Sequence, residues 1–446
     1  MNFESSQLKI PFFVKKVLII TYYWPPEGGI GVLRCLKIAK YLRQHGWEPI
    51  IYTADKKYYD HKDESNFKDI PADLKIIKGK IWEPYGIYKL LRGKKRTEGM
   101  DNVFYVKEEK ESFVKKIAIK IRGNFFIPDA RAMWIKPSVK ILNKYLQENK
   151  VDAMISNGPP HSNTRIATLL KKAHGIPWLA DFQDPWTQVD YFQLFNLSKR
   201  AERKHIKQEQ EVFELADKIT IVSPSWKNDL ESIGAKECEV IPWGYDKDDY
   251  QNIVEVKEDR CVMTHIGILG YDRLPEFLLE AMAELSAENE TFKKNFKLRL
   301  VGSVDKKVVE IASSLGISEM IELTGNVKRD KALSMAKSSS VLLLLLNRQA
   351  NAQGRIPAKI FEYLALRKNI LALGQQGSDI SGILSETQAG VNIEYEKKAE
   401  IKSYLRDLFV KYEKGDLNGA IDSQIGDYDI SVLVGKMAKC LDEITA

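Results

Sequence analysis

The sequence predicts an α/β protein made of two Rossmann-like, doubly wound parallel-sheet domains facing each other across a cleft. Three observations predict it. Apolar, β-branched runs alternate with amphipathic segments along the chain, the rhythm of βαβ units. The length of 446 residues exceeds what one hydrophobic core organises, since domains average about 100 to 200 residues. A stretch of turn chemistry midway separates two such series.

The first series opens with the strand "KVLIITYYW", the helix "VLRCLKIAKYLRQHG" and the strand "EPIIYTAD". It continues through "VDAMISNG", a helix from about Ser162 to His174 closed by Gly175, the strand "PWLADFQDPW", a long charged helix and "KITIVS". The segment "VIPWGYDKDDY" and the polar "QNIVEVKEDR" then mark the division, giving an N-terminal domain over 1–244 and a C-terminal domain over 245–446. The last helix, about 428–446, is a candidate to pack back on the N-terminal domain. The second series runs "CVMTHIGIL", "FKLRLVGSV", "MIELTGNV", "VLLLLLN", "NILALG" and "AGVNIEY".

A hydrophobic content of 44% with 29% charged residues is that of a soluble globular enzyme. The aliphatic run Val341–Leu346 is far short of the roughly 20 residues that span a bilayer, so it reads as a buried parallel strand. Glu4 before the first short apolar piece and Lys15 and Lys16 after it reverse the order of a secretory signal. Cys35, Cys238, Cys261 and Cys440 are far apart without a CxxC pair, which predicts no zinc site or disulfide framework and suits a reducing cytoplasm. A net charge of +7 permits an anionic partner, but no sustained basic helix or zinc-finger spacing points to nucleic acid. Over 113–125, Phe113, Val114, Ile117, Ala118, Ile121 and Phe125 share one helical face and Lys115, Lys116, Lys120 and Arg122 lie elsewhere. Such a helix either packs on its own domain or lies on an anionic membrane.

The stretch "YYWPPEGGIGVLR" carries the first chemistry. Glycines after a first strand let backbone approach a ligand, and the following helix directs its positive end there. A phosphorylated or polyhydroxylated ligand is one reading; a tight turn without a ligand is another. A dinucleotide fingerprint counted from Gly29 and Gly31 requires a small third residue, but Arg34 stands there, and its guanidinium is expected to block close helix-to-strand packing. Asp55 could still mimic a ribose-binding acid, so an NAD-dependent oxidoreductase stays open as a third reading.

With its Gly-Gly-x-Gly loop, "LKIAKYLRQHGWEPIIYT", "GIPWLADFQDPW" and "VIPWGYD", the chain resembles the GT-B glycosyltransferases of family 4 over almost its whole length, least over 58–132. The resemblance implies a GT-B architecture and a retaining sugar transfer from a nucleotide-diphosphate donor to an acceptor hydroxyl. Gly29 and Gly31 would face the sugar and donor phosphate. The family's donor-phosphate strand ends in Gly-Arg with a lysine five residues on; here Gly267 keeps the glycine, Ile268 replaces the arginine and Arg273 replaces the lysine. Of the family's two glutamates eight residues apart, Glu362 keeps the second, which grips the ribose, and Gly354 replaces the first. Arg355 and Lys359 are candidates to reach the donor phosphates instead, together with the start of the "KIFEYLA" helix. Asn326 and Val327, in "LTGNV", match the turn that holds the nucleobase through main-chain groups, leaving UDP and GDP both open.

On the acceptor side the family's sugar-contacting histidine falls on Asn157, with His161 four residues on as its substitute or a helix-cap residue. Asp181 and Asp184, in "DFQDPW", are candidates to orient or deprotonate the acceptor hydroxyl, or to fix a turn. Asp246-Lys-Asp248 imitates a metal-binding Asp-x-Asp, but its place after "PWGY" suits a helix cap, so metal-independent chemistry without a cofactor is expected. The implied partners are a nucleotide sugar and a saccharide or lipid-linked saccharide acceptor. The implied place is the cytoplasm, peripheral on the inner face of the cell membrane, in polysaccharide or glycolipid assembly. Because Ile268 and Gly354 remove family groups, a non-catalytic nucleotide-sugar binder or assembly subunit is the alternative.

Overall fold

The computed structural model describes residues 14–56, 59, 62–81, 120, 122–189, 192–348, 352–417 and 424–446. β1 (Lys15–Ile20), β2 (Trp47–Asp55), β3 (Lys75–Lys80), β4 (Ala153–Gly158), β5 (Trp178–Phe182), β6 (Lys218–Ile221) and β7 (Cys238–Val240) form a seven-stranded sheet in the order β3-β2-β1-β4-β5-β6-β7. β8 (Cys261–Ile266), β9 (Phe296–Val301), β10 (Ile321–Gly325), β11 (Val341–Leu345), β12 (Ile370–Leu373) and β13 (Gly390–Ile393) form a six-stranded sheet in the order β10-β9-β8-β11-β12-β13. Every pairing is parallel. Both orders reverse beside the first strand, at β1/β4 and at β8/β11, the doubly wound pattern.

The strands are apolar on both faces because helices cover both. In the first sheet Leu18 and Ile20 face α2 (Ala132–Glu148), α3 (His161–His174) and α4 (Lys199–Leu215). Val17 and Ile19, one residue out of step, face α1 (Ile30–Leu42) and α13 (Ile430–Ile444). The second sheet alternates likewise, Leu343 and Leu345 lying in one core and Leu342 and Leu344 in the other. Its helices are α6 (Glu276–Glu288), α7 (Glu290–Asn295), α8 (Lys306–Ser314), α9 (Arg329–Lys337), α10 (Lys359–Ala365), α11 (Asp379–Thr387) and α12 (Lys398–Lys414). α5 (Pro224–Ser232) lies between β6 and β7. Glycines in the left-handed region close two helices, Gly175 after α3 at φ 68° and Gly415 after α12 at φ 70°. Most of the basic amphipathic segment expected over 113–125 lies outside the described residues.

α13 returns to the first domain, where Ile430, Leu433, Val434, Met437 and Leu441 share a core with Leu36 and Ala39 of α1. The chain therefore crosses between domains twice, and the crossings touch. Tyr245 N donates to Tyr428 O at 3.0 Å and Ile430 N to Tyr245 O at 2.8 Å. Gly244 allows this approach, since a Cβ there would stand 2.4 Å from the Tyr428 carbonyl oxygen. Among the described residues no helix is long and apolar enough to cross a membrane.

Leu441 is fully buried, so Leu441→Ala should destabilise the protein by about 2–5 kcal/mol, read as a lower urea midpoint. An unchanged midpoint would show that α13 does not belong to the folding unit of the first domain.

Candidate active site

The two reversal points place loops at the carboxyl ends of β1, β4, β8 and β11. Gly29, at φ 90°, is the N-cap residue of α1 and has open space where a Cβ would project. At Gly31 a Cβ would press on the Tyr23 ring at 3.1 Å. Backbone conformation demands the first glycine and packing the second.

Arg34, one turn further on, does not hold α1 off the sheet as its size predicts. It is 2% exposed and turned into the domain, where Nε and Nη2 each donate to Asp181 at 2.7 Å. Nη1 and Nη2 also reach the carbonyls of Pro242 and Ile241, at 3.1 and 3.0 Å. Neutralisation by a bidentate carboxylate removes the obstacle that the bare guanidinium would be. Asp181 further accepts from Asn157 Nδ2 and Thr220 Oγ1, both at 2.8 Å. Four donors fill the capacity of a carboxylate, and Asp181 lies 1% exposed. Asn157, also buried, takes a bond from Gln183 on its side-chain oxygen. Asp181 and Asn157 thus belong to a closed internal network rather than to the open cleft. Asp184, two residues beyond β5, is half-buried.

His161 begins α3 and stacks on Trp186, with centroids 4.5 Å apart and planes 5° from parallel. Burial, with His205 beside it, pushes its imidazole down to about 3, so it is neutral at physiological pH. Its Nδ1 is buried without a hydrogen-bond partner among the described residues. It can polarise a substrate hydroxyl as a neutral group but not as a cation.

Across the cleft, Gly267 follows β8 at φ 120°, and a Cβ there would lie 2.5 Å from the Lys359 ammonium. Lys359 opens α10 and reaches back over that glycine. Burial and the nearby Arg273 guanidinium push the ammonium down to about 8, against the pull of Glu362. The site thus holds two cations in mutual repulsion, a charge suited to an anion. Arg273 Nε is itself buried, 3.6 Å from Asp272, with no hydrogen bond among the described residues. Beneath them His265 is held well below its ordinary value by burial and by Lys359, and its Nδ1 pairs with Leu343 O. Ile268, where the resemblance expects arginine, is 62% exposed. Arg348, which sequence reasoning missed, lies after β11, with its guanidinium 4.0 Å from the Tyr395 ring and a bond to Leu274 O at 2.7 Å. Arg355 is half-buried in the loop before α10. α10 itself has only seven residues, so side-chain cations rather than a long helix dipole set the charge here.

Glu362 accepts from Arg329 at 2.9 Å, and Arg329 also meets Tyr250 at 3.4 Å. Asn326 is exposed and Val327 half-buried in the turn leading to α9. At Gly354 a Cβ would stand 2.4 Å from Cδ1 of Trp226, which belongs to α5 in the opposite domain. An indole therefore fills the place where the resemblance expects a glutamate. Beside it, Asp379 accepts from Ser225 N at 3.0 Å and Ser225 Oγ at 2.8 Å, tying α11 to α5. No sequence pattern links Trp226 to Gly354, and only folding brings them together.

Asp246 does cap a turn, accepting from Asp248 N at 3.1 Å. Its carboxylate lies with those of Asp69 and Asp249, ligand atoms within 4.8 Å of one another. The Lys37 ammonium stands among them, at 2.7, 2.6 and 2.9 Å from Asp69, Asp246 and Asp249. The charges at this cluster are met by lysine.

Two facing Rossmann-like domains with these loops define a GT-B fold. Residues 246–414, within the second domain, match the family described as glycosyl transferases group 1. The fold is similar to a glycosyltransferase from Rickettsia africae, at 15% identity and a TM-score of 0.57, covering 96% of this chain and 98% of that one. It is similar also to HepE of Anabaena solved with UDP and glucose, at 12% identity and TM-score 0.57, covering 96% and 99%. A third similar structure is WaaG, a glycosyltransferase involved in lipopolysaccharide biosynthesis, at 14% identity and TM-score 0.53, covering 96% and 99%. No curated protein sequence gives a significant match.

Because Trp226 occupies its space, Gly354→Glu should destabilise the protein by about 1–3 kcal/mol and raise no activity, measured by denaturation and by donor turnover. A stable variant with higher turnover would show that the indole yields to a carboxylate.

Proposed function

We propose that this protein transfers a sugar from a nucleotide-diphosphate donor to an acceptor hydroxyl, with retention of anomeric configuration and without a metal. The Lys359 ammonium over Gly267, beside Arg273, carries this reading. A donor diphosphate laid at the end of β8 meets both cations and a backbone without a side chain. Charge that develops on the leaving diphosphate is stabilised where the cations already stand, so little reorganisation is needed at the reacting moment. Lys359 supplies the positive charge that Ile268 lacks. Glu362, with Arg329, addresses the ribose, and the turn at Asn326 and Val327 the base of UDP or GDP. On the opposite wall Gly29 and Gly31 admit the sugar, while Asp184 and neutral His161 orient the acceptor hydroxyl. Asp181 acts only through Arg34.

The filled site at Gly354 favours one second reading, a nucleotide-sugar binder without turnover. Release of diphosphate with any saccharide acceptor rules it out.

The donor reading is tested by thermal shift with UDP, GDP, ADP and NAD on wild type, Glu362→Ala and Lys359→Met. At a hundredfold excess over Kd, UDP or GDP should stabilise wild type by about 2.7 kcal/mol and both variants much less. A bound diphosphate favours protonated Lys359, so affinity should fall as pH rises through about 8, and Lys359→Arg should abolish that fall. If NAD alone stabilises the protein, or nothing does, the donor reading is lost.

We further propose a lipid-linked saccharide acceptor at the inner face of the membrane, in polysaccharide or glycolipid assembly. Phe125 is 78% exposed, and α2 turns Met133 outward with Lys136, Lys140 and Lys144 at helical spacing beyond it. The protein should float with vesicles containing anionic lipid at low salt and be released at high salt. Failure to float at low salt removes the membrane contact.

A further inference from the structure

One flank of α1 carries Arg34, Lys37, Lys40 and Tyr41, and every one of them ends on the segment that joins the domains or on its supports. Arg34 takes the carbonyls of Ile241 and Pro242, at 3.0 and 3.1 Å. Lys37 takes Asp246 and Asp249, at 2.6 and 2.9 Å. Lys40 takes Asp246 and Asp248, at 2.7 and 3.0 Å, and Tyr41 takes Asp246 at 2.7 Å. The same helix begins at the glycine loop, with Gly29 as its N-cap. Its apolar side shares a core with α13, the second crossing of the chain. Both connections between the domains therefore rest on the helix that presents the glycine loop to the cleft.

We infer that Arg34 and Lys37 are positioning residues that couple the interdomain segment to the glycine loop through α1, so that the second domain's placement sets the loop's register against the transferred sugar. Neither touches substrate. A rotation of residues 241–249 must either break these buried contacts or carry Gly29–Gly31 with it, and a rigid helix favours the second course. The coupling stands on the geometry; its catalytic consequence rests on the glycosyl-transfer reading.

Lys37→Met removes the bonds to Asp246 and Asp249, together with the one to Asp69, and so weakens the hold of α1 on the segment while leaving the glycine loop and the cations of the second domain in place. Hydrogen exchange is the first readout because it needs no substrate. Amides of residues 28–33 should exchange about twofold to thirtyfold faster than in wild type, with β8–β13 unchanged. Lys37→Arg should restore the wild-type rate. Exchange confined to 241–249 would overturn the coupling. If Lys37→Met does not fold, Lys40→Met, at a more exposed position, takes its place in the same measurement.

Kinetics then separate positioning from simple stability. With UDP or GDP affinity unchanged by calorimetry, kcat per folded molecule should fall by a similar factor, and Lys37→Arg should recover it. An unaltered kcat with loosened loop amides, or a parallel loss of nucleotide affinity, overturns the catalytic part. Wild type that binds no nucleotide defeats the glycosyl-transfer reading, while the exchange result alone decides the coupling.

Discussion

The ion pair between Arg34 and Asp181 organises the first domain. A guanidinium 2% exposed would be untenable without compensation, because desolvating a lone charge costs several kcal/mol even after relaxation. Bidentate pairing, two backbone carbonyls and the bonds that Asp181 takes from Thr220 and Asn157 satisfy the group on every side. The result joins α1, β4, β5, β6 and the exit of β7 in one polar knot within an apolar layer. Removal of one partner would strand the other, so the knot defines a unique arrangement.

The same economy of charge operates across the cleft with the opposite result. There, burial and the Arg273 guanidinium outweigh the pull of Glu362 on Lys359, and the depressed ammonium of Lys359 records the cost. In the first domain charge is buried to be satisfied; in the second it is held partly desolvated over a glycine that has no side chain to displace it. That contrast separates scaffold from site more clearly than residue type does. Lys37 of α1 belongs with the scaffold, since it lies among three carboxylates.

The departures at Ile268 and Gly354 have different physical characters. At Ile268 a charge is missing from one strand end but present nearby, because Lys359 arrives from α10 over Gly267. At Gly354 the space itself is gone, occupied by Trp226 from the opposite domain. One is a relocation of charge; the other fills space in the cleft and adds an interdomain contact, reinforced by Asp379 at Ser225.

Periodicity determined the doubly wound class, since strands buried on both faces must be apolar at every position, as Val341–Leu345 are. The glycine at 29 was legible for a local reason, since backbone at positive φ excludes most side chains, whereas Gly267, also at positive φ, was picked out only through the family resemblance. Arg34 was legible as a residue but not as a role, because its partner Asp181 lies 147 positions away and only the sheet brings them together. The spent capacity of Asp181, the neutrality of His161 against Trp186 and the meeting of Trp226 with Gly354 likewise depend on burial and on contacts between distant segments. Local sequence determined which backbone could form and where a ligand could approach. Tertiary structure decided which charges were spent in the scaffold and which remained for chemistry, because desolvation and pairing exist only once the chain has closed on itself.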